Sequence, residues 1–367
     1  MKFTCNQSDL MESLNTVQKA VSQKSSIAAL EGVYIIANQS EISIKGYNLE
    51  MGIETTIQGE VSIEGNIVIN AKMLCDIIRN LPDDIIEMEV DEKYLTKITC
   101  GLTQFTVLGM PGDEFPEMPE VQADNSINIK RELFKKIIRK TLFAVSVDET
   151  RGVHMGTLFM LDNDKLKAVS FDGYRLAITE ETIENKDNIS LKFIVPGKTL
   201  SEIMKIINED DNEMIISLTK KHILFENENI VIISRLLEGE FSNYEKSIPK
   251  NITTEVIVDT SKLIESIERA SLMISDKIKP PVRMSFEYDV IKISCTTALG
   301  KVYDEIPTKV EGEKLEIGIN NRYMLDSLKA SNSDQIKIEM TTPLSPMVVK
   351  PIDSDEFLYL IAPAILK

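Results

Sequence analysis

The sequence repeats one strand-then-helix pattern three times, and this repeat limits the folds available to the chain. The copies run from Phe3 to Ser22, from Ile127 to Ser146 and from Val256 to Ser275, so their starts lie 124 and 129 residues apart. Each copy begins with the alternation of apolar and polar residues that is typical of a strand. Apolar residues at helical spacing follow. Spread over 367 residues, a repeat of this period indicates three tandem domains built on one plan.

The helical part of each copy predicts one buried face. Its apolar or small residues recur at equivalent positions: Leu10, Leu14 and Val17, then Phe134, Ile138 and Thr141, and finally Leu263, Ile267 and Ala270. Strand-like runs follow from Gly32, Gly156 and Val282, and they are typical of hairpins with Asn or Asp turns.

A second strand-helix unit begins in each copy, at Ile67, Phe193 and Ile317, which raises the number of predicted helices to six. Their ranges are 8–19, 72–80, 131–141, 198–206, 260–270 and 321–330. The pattern predicts an α+β fold of three tandem domains, each of two helix-plus-antiparallel-sheet units with the helices on one side of the sheets. The predicted domains are 1–124, 125–250 and 251–367. Their boundaries follow the proline-bearing segments 109–120 and 238–250, which are also compatible with ordinary surface loops.

Positive charge is concentrated in the predicted helices, although the chain as a whole is acidic. The formal net charge is −17, yet the six predicted helices together carry +6, which leaves −23 on the strands and loops. A chain with this net charge repels nucleic acid and anionic membranes unless its cations are gathered on one surface. The helix 131–141 alone carries +4, so its Lys135, Lys136 and Arg139 are candidate contacts to an anionic partner.

A basic residue recurs near the start of the second helix in every copy, as Lys72, Lys198 and Arg322. The start of a helix carries partial positive charge and favours Asp or Glu, so a repeated cation there indicates an anion outside the helix. Duplex phosphates would satisfy several such helices without base specificity. For one helix alone, a solvated lysine is the simpler interpretation. The sequence has no Trp and only 6% aromatic residues, which favours a duplex over base stacking on a single strand.

Signatures of catalysis and metal binding are absent from the sequence. No GxxxxGK[ST], GxGxxG, HExxH or GxSxG motif occurs, and the only histidines are His154 and His222. The four cysteines are far apart and include no CxxC pair, which indicates buried thiols in a reducing compartment. We therefore expect no enzyme activity, no cofactor and no metal.

The ends of the sequence lack targeting features. The longest uncharged run near either end, 357–366, is ten residues and contains a proline, whereas a membrane helix needs about 20 apolar residues. The first ten residues lack the charged-then-apolar layout of a secretory signal. We therefore expect a cytoplasmic protein with no membrane partner.

Four segments are distinctive: MKFT at Met1, GYNLEMG at Gly46, FDGYRLA at Phe171 and EGEFSNYEKSIPK at Glu238. Together with the three tandem copies, they resemble the bacterial sliding clamp family, the beta subunits of DNA polymerase III, over the whole chain. The resemblance implies a non-catalytic processivity factor of DNA replication. It further implies a ring-shaped head-to-tail homodimer that encircles duplex DNA without sequence preference and tethers the replicative polymerase. Clamp loader and repair proteins would bind through short linear peptides.

The resemblance also implies site residues. Lys24, Lys72 and Lys198 match DNA-contacting cations, and the charge count adds Lys135, Lys136, Arg139 and Arg322. An apolar peptide cleft between the second and third domains is matched by His154, Phe171, Gly173, Tyr174, Arg175, Leu176, Ser242, Lys246, Ser247, Leu344, Pro346, Leu360, Ala362, Pro363, Ala364 and Ile365. There we expect Gly173 to permit close backbone approach, Arg175 to bind a peptide carbonyl or carboxylate, and Leu176, Leu344, Leu360 and Ile365 to form apolar walls.

Some implied positions depart from the common family pattern, and others concern dimer closure. His154 and Ser242 stand where leucine and proline are usual, Ser247 where an apolar residue is usual, and Ala362 and Ala364 where larger side chains are frequent. These departures predict a cleft that is either roomier or more polar. For the dimer, the first-domain strand at Phe105 and Leu108 is expected to meet the third-domain segment at Leu272 and Met273.

Two other interpretations make different predictions. A three-domain peptide-binding scaffold that does not enclose DNA would be a monomer and would be insensitive to DNA topology. An enzyme would use Asp148 and Glu149 beside Arg151 as an acid/base group with His154, and it would lose activity on Asp148→Ala.

Overall fold

The computed structural model describes residues 1–121, 124–186, 188–275 and 280–366. These residues form six α-helices, each within two residues of its predicted bounds at both ends. They are α1 (Gln7–Val17), α2 (Ala71–Arg79), α3 (Arg131–Thr141), α4 (Gly197–Ile206), α5 (Thr260–Ser271) and α6 (Asn321–Ser331). No helix among the described residues has both the length and the apolar character needed to span a membrane.

The strands recur in each copy of the repeat. The first copy holds β1 (Lys2–Asn6), β2 (Gly32–Asn38), β3 (Glu41–Tyr47), β4 (Met51–Gln58), β5 (Glu60–Ile63), β6 (Gly65–Asn70), β7 (Ile85–Val90), β8 (Leu95–Cys100) and β9 (Thr103–Leu108). The second holds β10 (Asn125–Lys130), β11 (Gly156–Asp162), β12 (Lys165–Phe171), β13 (Arg175–Thr182), β14 (Leu191–Pro196), β15 (Glu213–Leu218), β16 (His222–Asn227) and β17 (Ile230–Arg235). The third holds β18 (Thr254–Asp259), β19 (Val282–Glu287), β20 (Val290–Thr297), β21 (Gly300–Pro307), β22 (Val310–Gly312), β23 (Leu315–Ile319), β24 (Gln335–Met340), β25 (Met347–Lys350) and β26 (Phe357–Ile361).

The chain forms two compact units, of which the first comprises Met1–Glu132 and Glu202–Leu236. Its two sheets have the strand orders β5-β1-β7-β8-β9 and β10-β15-β16-β17-β4-β3-β2-β6. In the larger sheet β4 of the first copy pairs antiparallel with β17 of the second, with Ile53 opposite Ile232. Two copies therefore share one continuous sheet.

The second unit comprises Leu133–Ser201 and Leu237–Lys367. Its sheets have the orders β14-β11-β12-β13-β26-β25-β24-β18-β22 and β21-β20-β19-β23. Here β13 of the second copy pairs antiparallel with β26 of the third, with Leu176 opposite Leu360. The compact units cut across the repeats because each large sheet joins strands of two copies, whereas the fold itself is the expected three-domain α+β arrangement of antiparallel sheets.

The predicted apolar helix faces are buried. In α1 the side chains of Leu10, Leu14 and Val17 are fully buried, and α1 packs against α2 and β4. The equivalent residues of α3 and α5 are buried as well, including Thr141, whose hydroxyl donates to the Ile137 carbonyl at 2.9 Å within α3. Burial of such a face is the main source of helix stability in a globular protein.

Local capping explains where the second helix of two copies begins. Asn70 accepts the backbone N–H of Met73 at 3.0 Å before α2, and Asn320 accepts the backbone N–H of Arg322 at 3.0 Å before α6. An Asn at this position satisfies helix N–H groups that have no partner inside the helix. The cap leaves the second residue of each helix, Lys72 or Arg322, free to point outward.

Candidate functional site

Three cations occupy the same position in the three copies. Lys72, Lys198 and Arg322 are each the second residue of a helix, in α2, α4 and α6 respectively, and each side chain is exposed. Lys24, in the segment after α1, is exposed too. Within the described part of the chain, none of the four lies in an ion pair, so their charge is available to an anionic partner.

The five cations of α3 behave differently, because carboxylates from elsewhere in the chain hold most of them. Arg131 is buried and donates to Asp210 at 3.1 Å and to Glu228 at 2.9 Å. Lys135 is only 8% exposed. Its burial argues against Lys135 as a DNA contact, a role that the charge count had predicted. Arg139 is the one cation of α3 that is exposed among the described residues.

Lys136 and Lys140 are bound by the same acidic group. Both ammonium groups contact Glu356, with 2.5 Å from Lys140 Nζ to the carboxylate, and Lys136 also contacts Glu181 at 2.9 Å. Burial alone would raise the pKa of Glu356, but the hydrogen bonds from the two lysines outweigh it and lower that pKa to about 2. Lys136 is half-exposed but already neutralised, which weakens the expectation that it contacts DNA.

A tight turn between β12 and β13 forms the centre of the predicted peptide cleft. Asp172 Oδ1 accepts the backbone N–H groups of Tyr174 and Arg175, both at 2.8 Å. Gly173 between them has φ +90°, in a region that favours glycine. The turn leaves Tyr174 exposed, with its ring stacked at 6.3 Å from that of Tyr323.

Arg175 is placed differently from the expectation that it reads a peptide. Its guanidinium donates to Asp172 at 3.0 Å and to Asp326 of α6 at 2.5 Å, and it lies 4.5 Å from the centre of the Tyr323 ring. Since both carboxylates already accept from it, the group ties the turn to α6. Asp326, Asp172 and Tyr323 were not predicted from the sequence, although Asp172 lies within the FDGYRLA segment.

The apolar part of the cleft has a buried floor and exposed edges. Leu176 and Leu360 are 0% and 3% exposed, so they belong to the apolar cluster beneath the surface. Leu344 and Ile365 are 82% and 80% exposed, as an apolar binding edge requires. The remaining predicted residues are exposed or half-buried: Lys246 and Ser247 in a 3₁₀ turn, Pro346 before β25, and Ala362, Pro363 and Ala364 after β26.

Backbone hydrogen bonds hold the C-terminal segment beside the turn. The Ala362 N–H donates to the Tyr174 carbonyl at 2.8 Å, and the Ala364 N–H donates to the Gly318 carbonyl at 2.8 Å. A side chain on Gly318 would come within 2.3 Å of the Ala364 oxygen, which explains why glycine is needed at this close approach.

A polar pair lies at the other side of the cleft. His154 Nε2 is 2.9 Å from Ser242 Oγ, and the rings of Phe171 and Phe241 stand edge-on to the imidazole at 5.5 and 4.9 Å. Burial, followed by the charge of Arg151, lowers the pKa of His154 and so favours the neutral imidazole. Phe241 was missed by sequence reasoning, which had singled out only its neighbour Ser242.

The first compact unit ends one sheet in an exposed strand. β9 is the edge strand after β8, and Phe105 and Leu108 on it are 38% and 67% exposed. Beside it lies an open recess of about 610 Å³ with mainly apolar lining, formed by Asn70, Lys72, Met73, Asp76, Ile77, Asn80 and Phe105. An exposed edge with apolar side chains is a template for pairing with another chain.

The second compact unit has an exposed edge of its own at β21. Leu272, just after α5, is 79% exposed, and Leu299 at the β20–β21 turn is equally so. Met273 is half-buried against the core instead of projecting freely, so Leu272 is the more prominent of the two predicted interface residues.

Groups typical of catalysis do not converge among the described residues. All four cysteines are buried, and burial raises the pKa of Cys5 to about 12, so this thiol is not a nucleophile at neutral pH. No cluster of three or more His, Cys, Asp or Glu side chains suited to a metal is present in the described ranges. Asp148 accepts the backbone N–H and the hydroxyl of Thr150, which accounts for its role as a helix cap.

Three family models cover nearly the whole chain. They are the N-terminal, central and C-terminal domains of the DNA polymerase III beta subunit, and they match residues 1–119, 128–243 and 245–365. The chain is 33% identical to the beta sliding clamp of Bacillus subtilis strain 168 over 374 residues, or 99% of each protein.

Solved structures agree with these matches. The DNA polymerase sliding clamp of Bacillus subtilis is similar with a TM-score of 0.97 at 31% identity, over 100% of both chains. A sliding clamp from Pseudomonas aeruginosa bound to griselimycin is similar with a TM-score of 0.94 at 26% identity, again over 100% of both. The chain therefore belongs to the DNA polymerase III beta subunit family, the beta sliding clamps.

Proposed function

We propose that this DNA sliding clamp, a non-catalytic processivity factor of DNA polymerase, acts as a closed head-to-tail homodimer around duplex DNA. In this proposal Lys24, Lys72, Arg139, Lys198 and Arg322 attract the phosphates, and the cleft of the second unit receives short peptides of the polymerase, the clamp loader and repair proteins. The domains are 1–124, 125–250 and 251–367, and the protein acts in the cytoplasm.

The single observation that carries the DNA-binding role is the threefold recurrence of an exposed, unpaired cation at the second residue of α2, α4 and α6. In α3, by contrast, Arg131, Lys136 and Lys140 are all held by carboxylates. The recurrence of an exposed cation at one helix position in all three copies, in a protein of net charge −17, is best explained by an anion from outside. Weak, sequence-independent phosphate contacts permit sliding.

Dimer closure is supported by the two exposed edges. The recess beside Phe105 has the size and apolar character to receive a side chain such as Leu272 of a second copy. Two unlike surfaces that meet twice under twofold symmetry close the assembly, so the proposal predicts a finite ring instead of a filament.

Peptide binding is supported by exposed Leu344 and Ile365 at the edge of a cleft whose floor is a buried apolar cluster. Gly173 brings backbone to the surface there. We further propose that griselimycin binds in this cleft, and this makes it a practical probe of the site.

The decisive experiment loads the protein onto nicked circular DNA and then linearises the DNA. A clamp held by topology slides off the free ends, so we expect retention on the circle and loss from the linear form. Retention on linear DNA would contradict enclosure, and a monomer that binds griselimycin without being retained on either form would support the peptide-binding scaffold instead.

A further inference from the structure

We propose that His154 and Ser242 form a proton-linked subsite of the peptide cleft, which an apolar peptide side chain occupies only while the imidazole is neutral. This inference rests on the peptide-binding role proposed above. The two residues place a titratable hydrogen-bonded pair beside the aromatic rings of Phe171 and Phe241.

The geometry sets the imidazole into an apolar wall. His154 lies in the 3₁₀ segment Glu149–Met155, and its Nε2 is 2.9 Å from Ser242 Oγ. The ring of Phe241, which is 7% exposed, stands against it edge-on at 4.9 Å, and that of Phe171 does so at 5.5 Å. Both rings belong to the apolar cluster that also contains Leu176 and Leu360. An apolar side chain entering the cleft would rest on this cluster beside the imidazole.

Few charged groups act on the imidazole among the described residues. Arg151, on the same 3₁₀ segment, opposes protonation, whereas Asp172 in the turn after β12 favours it. Nδ1 of the imidazole is buried without a hydrogen-bond partner among the described residues. Ser242 and Phe241, from the segment that packs on the other side, carry no charge. Burial has the strongest effect on the imidazole and outweighs the groups that favour protonation, so the pKa of His154 is lowered.

Peptide binding should strengthen this effect. A side chain seated on His154 removes water that solvates the imidazolium, so peptide and proton exclude each other. This competition fixes the direction of the pH dependence. Peptide affinity is constant above the pKa of His154 in the free protein. Below that pKa it falls by up to tenfold per pH unit, because a proton must be released before the peptide binds. The hydrogen bond to Ser242 survives protonation, since the hydroxyl oxygen can also accept.

The experiment measures griselimycin binding by calorimetry between pH 5 and pH 8 with the full-length protein. We expect the affinity to fall toward the acid end in the wild type and in a His222→Gln control, and to stay flat in His154→Leu. Circular dichroism at each pH verifies that the folded state persists. An affinity that is flat in the wild type, or that rises on acidification, overturns the inference.

A second measurement separates this inference from the peptide-binding proposal. The chain has only two histidines, so ring-proton NMR gives two signals that His154→Leu assigns. Saturating griselimycin should move the titration midpoint of His154 to lower pH and leave that of His222 unchanged. If griselimycin binds without moving the titration midpoint of His154, the proton-linked subsite is contradicted, whereas the proposal that the cleft binds peptides is kept. If griselimycin does not bind at any pH, the peptide-binding proposal itself is overturned, and the inference falls with it.

Discussion

Arg175 donates to Asp326 across 151 residues of sequence, at 2.5 Å, while its guanidinium lies over the ring of Tyr323. The same guanidinium bonds Asp172, so one side chain joins the glycine turn, β13 and α6. A planar group with several donors is suited to such a junction, which a lysine could not reproduce. Arg175 thus ties the glycine turn of the candidate cleft to α6.

Replacing Arg175 by Ala should lower the free energy of unfolding by about 2–4 kcal/mol, because it leaves largely buried Asp172 without its partner. Arg175→Lys should recover less than half of the loss. Urea unfolding monitored by circular dichroism measures both. The matched control is Arg283→Ala, which breaks an exposed pair with Glu316 and should change stability by at most about 0.5 kcal/mol. Equal effects at the two arginines would contradict the proposed junction.

Glu356 should make the free energy of unfolding depend on pH in the acidic range. Despite burial, Lys136 and Lys140 lower its pKa to about 2 from an unfolded value of 4.5. A lowered carboxyl pKa contributes stability that is complete above pH 4.5 and is lost as pH falls toward 2. After allowance for solvent screening, we expect Glu356→Gln to cost about 2 kcal/mol at pH 7, and the difference from wild type to shrink below pH 4.5. Glu311→Gln, at a solvent-exposed pair with Lys309, is the control and should show a much smaller pH-dependent difference, because solvent screens that pair.

Duplex binding should depend on the helix-start cations and not on Lys135. Each of Lys72→Ala, Lys198→Ala and Arg322→Ala should reduce the slope of log affinity against log salt by about two, because the dimer carries two copies of each cation and each copy makes one phosphate contact. Lys135→Ala should leave the slope unchanged because the side chain is buried. Fluorescence anisotropy of a labelled duplex between low and moderate salt measures the slopes. Exposed Lys309→Ala controls for a general loss of charge, and an equal change in that variant would refute specific contacts.

The helices and their buried faces could be predicted from the sequence, because local periodicity and the repeat determine them. Leu10, Leu14 and Val17 are buried because their spacing alone places them on one helix face. The ion pairs of Lys136 could not be predicted, because a charge count treats a helix as isolated. Its carboxylate partners are distant in sequence: Glu181 lies on β13 and Glu356 directly precedes β26. The role of Arg175 was missed for the same reason, since Asp326 is not adjacent in sequence.

Gly173→Ala should disturb the cleft more than an equivalent change elsewhere. At φ +90° any side chain is strained by about 1–2 kcal/mol, and the new Cβ would also come within 2.8 Å of Arg151 Nη1, which can move. Relief of the strain would shift the Tyr174 carbonyl that holds Ala362. We expect griselimycin affinity to fall severalfold. Gly101→Ala, at φ +55° with no atom nearby, should lose stability but keep full affinity, and calorimetry distinguishes the two.

The proposed head-to-tail contact predicts that two monomeric variants form a dimer again when they are mixed. Leu272→Asp and Phe105→Asp should each give a monomer in sedimentation velocity, since either places a charge in an apolar contact. Exposed Tyr288→Asp, at the β19–β20 turn, should remain a dimer. An equimolar mixture of the two monomeric variants retains one intact contact, because the unchanged first-domain edge of one chain meets the unchanged third-domain segment of the other. We therefore expect the mixture to form an open dimer that is not retained on circular DNA. If mixing restores no dimer, Phe105 and Leu272 do not face each other across a head-to-tail interface.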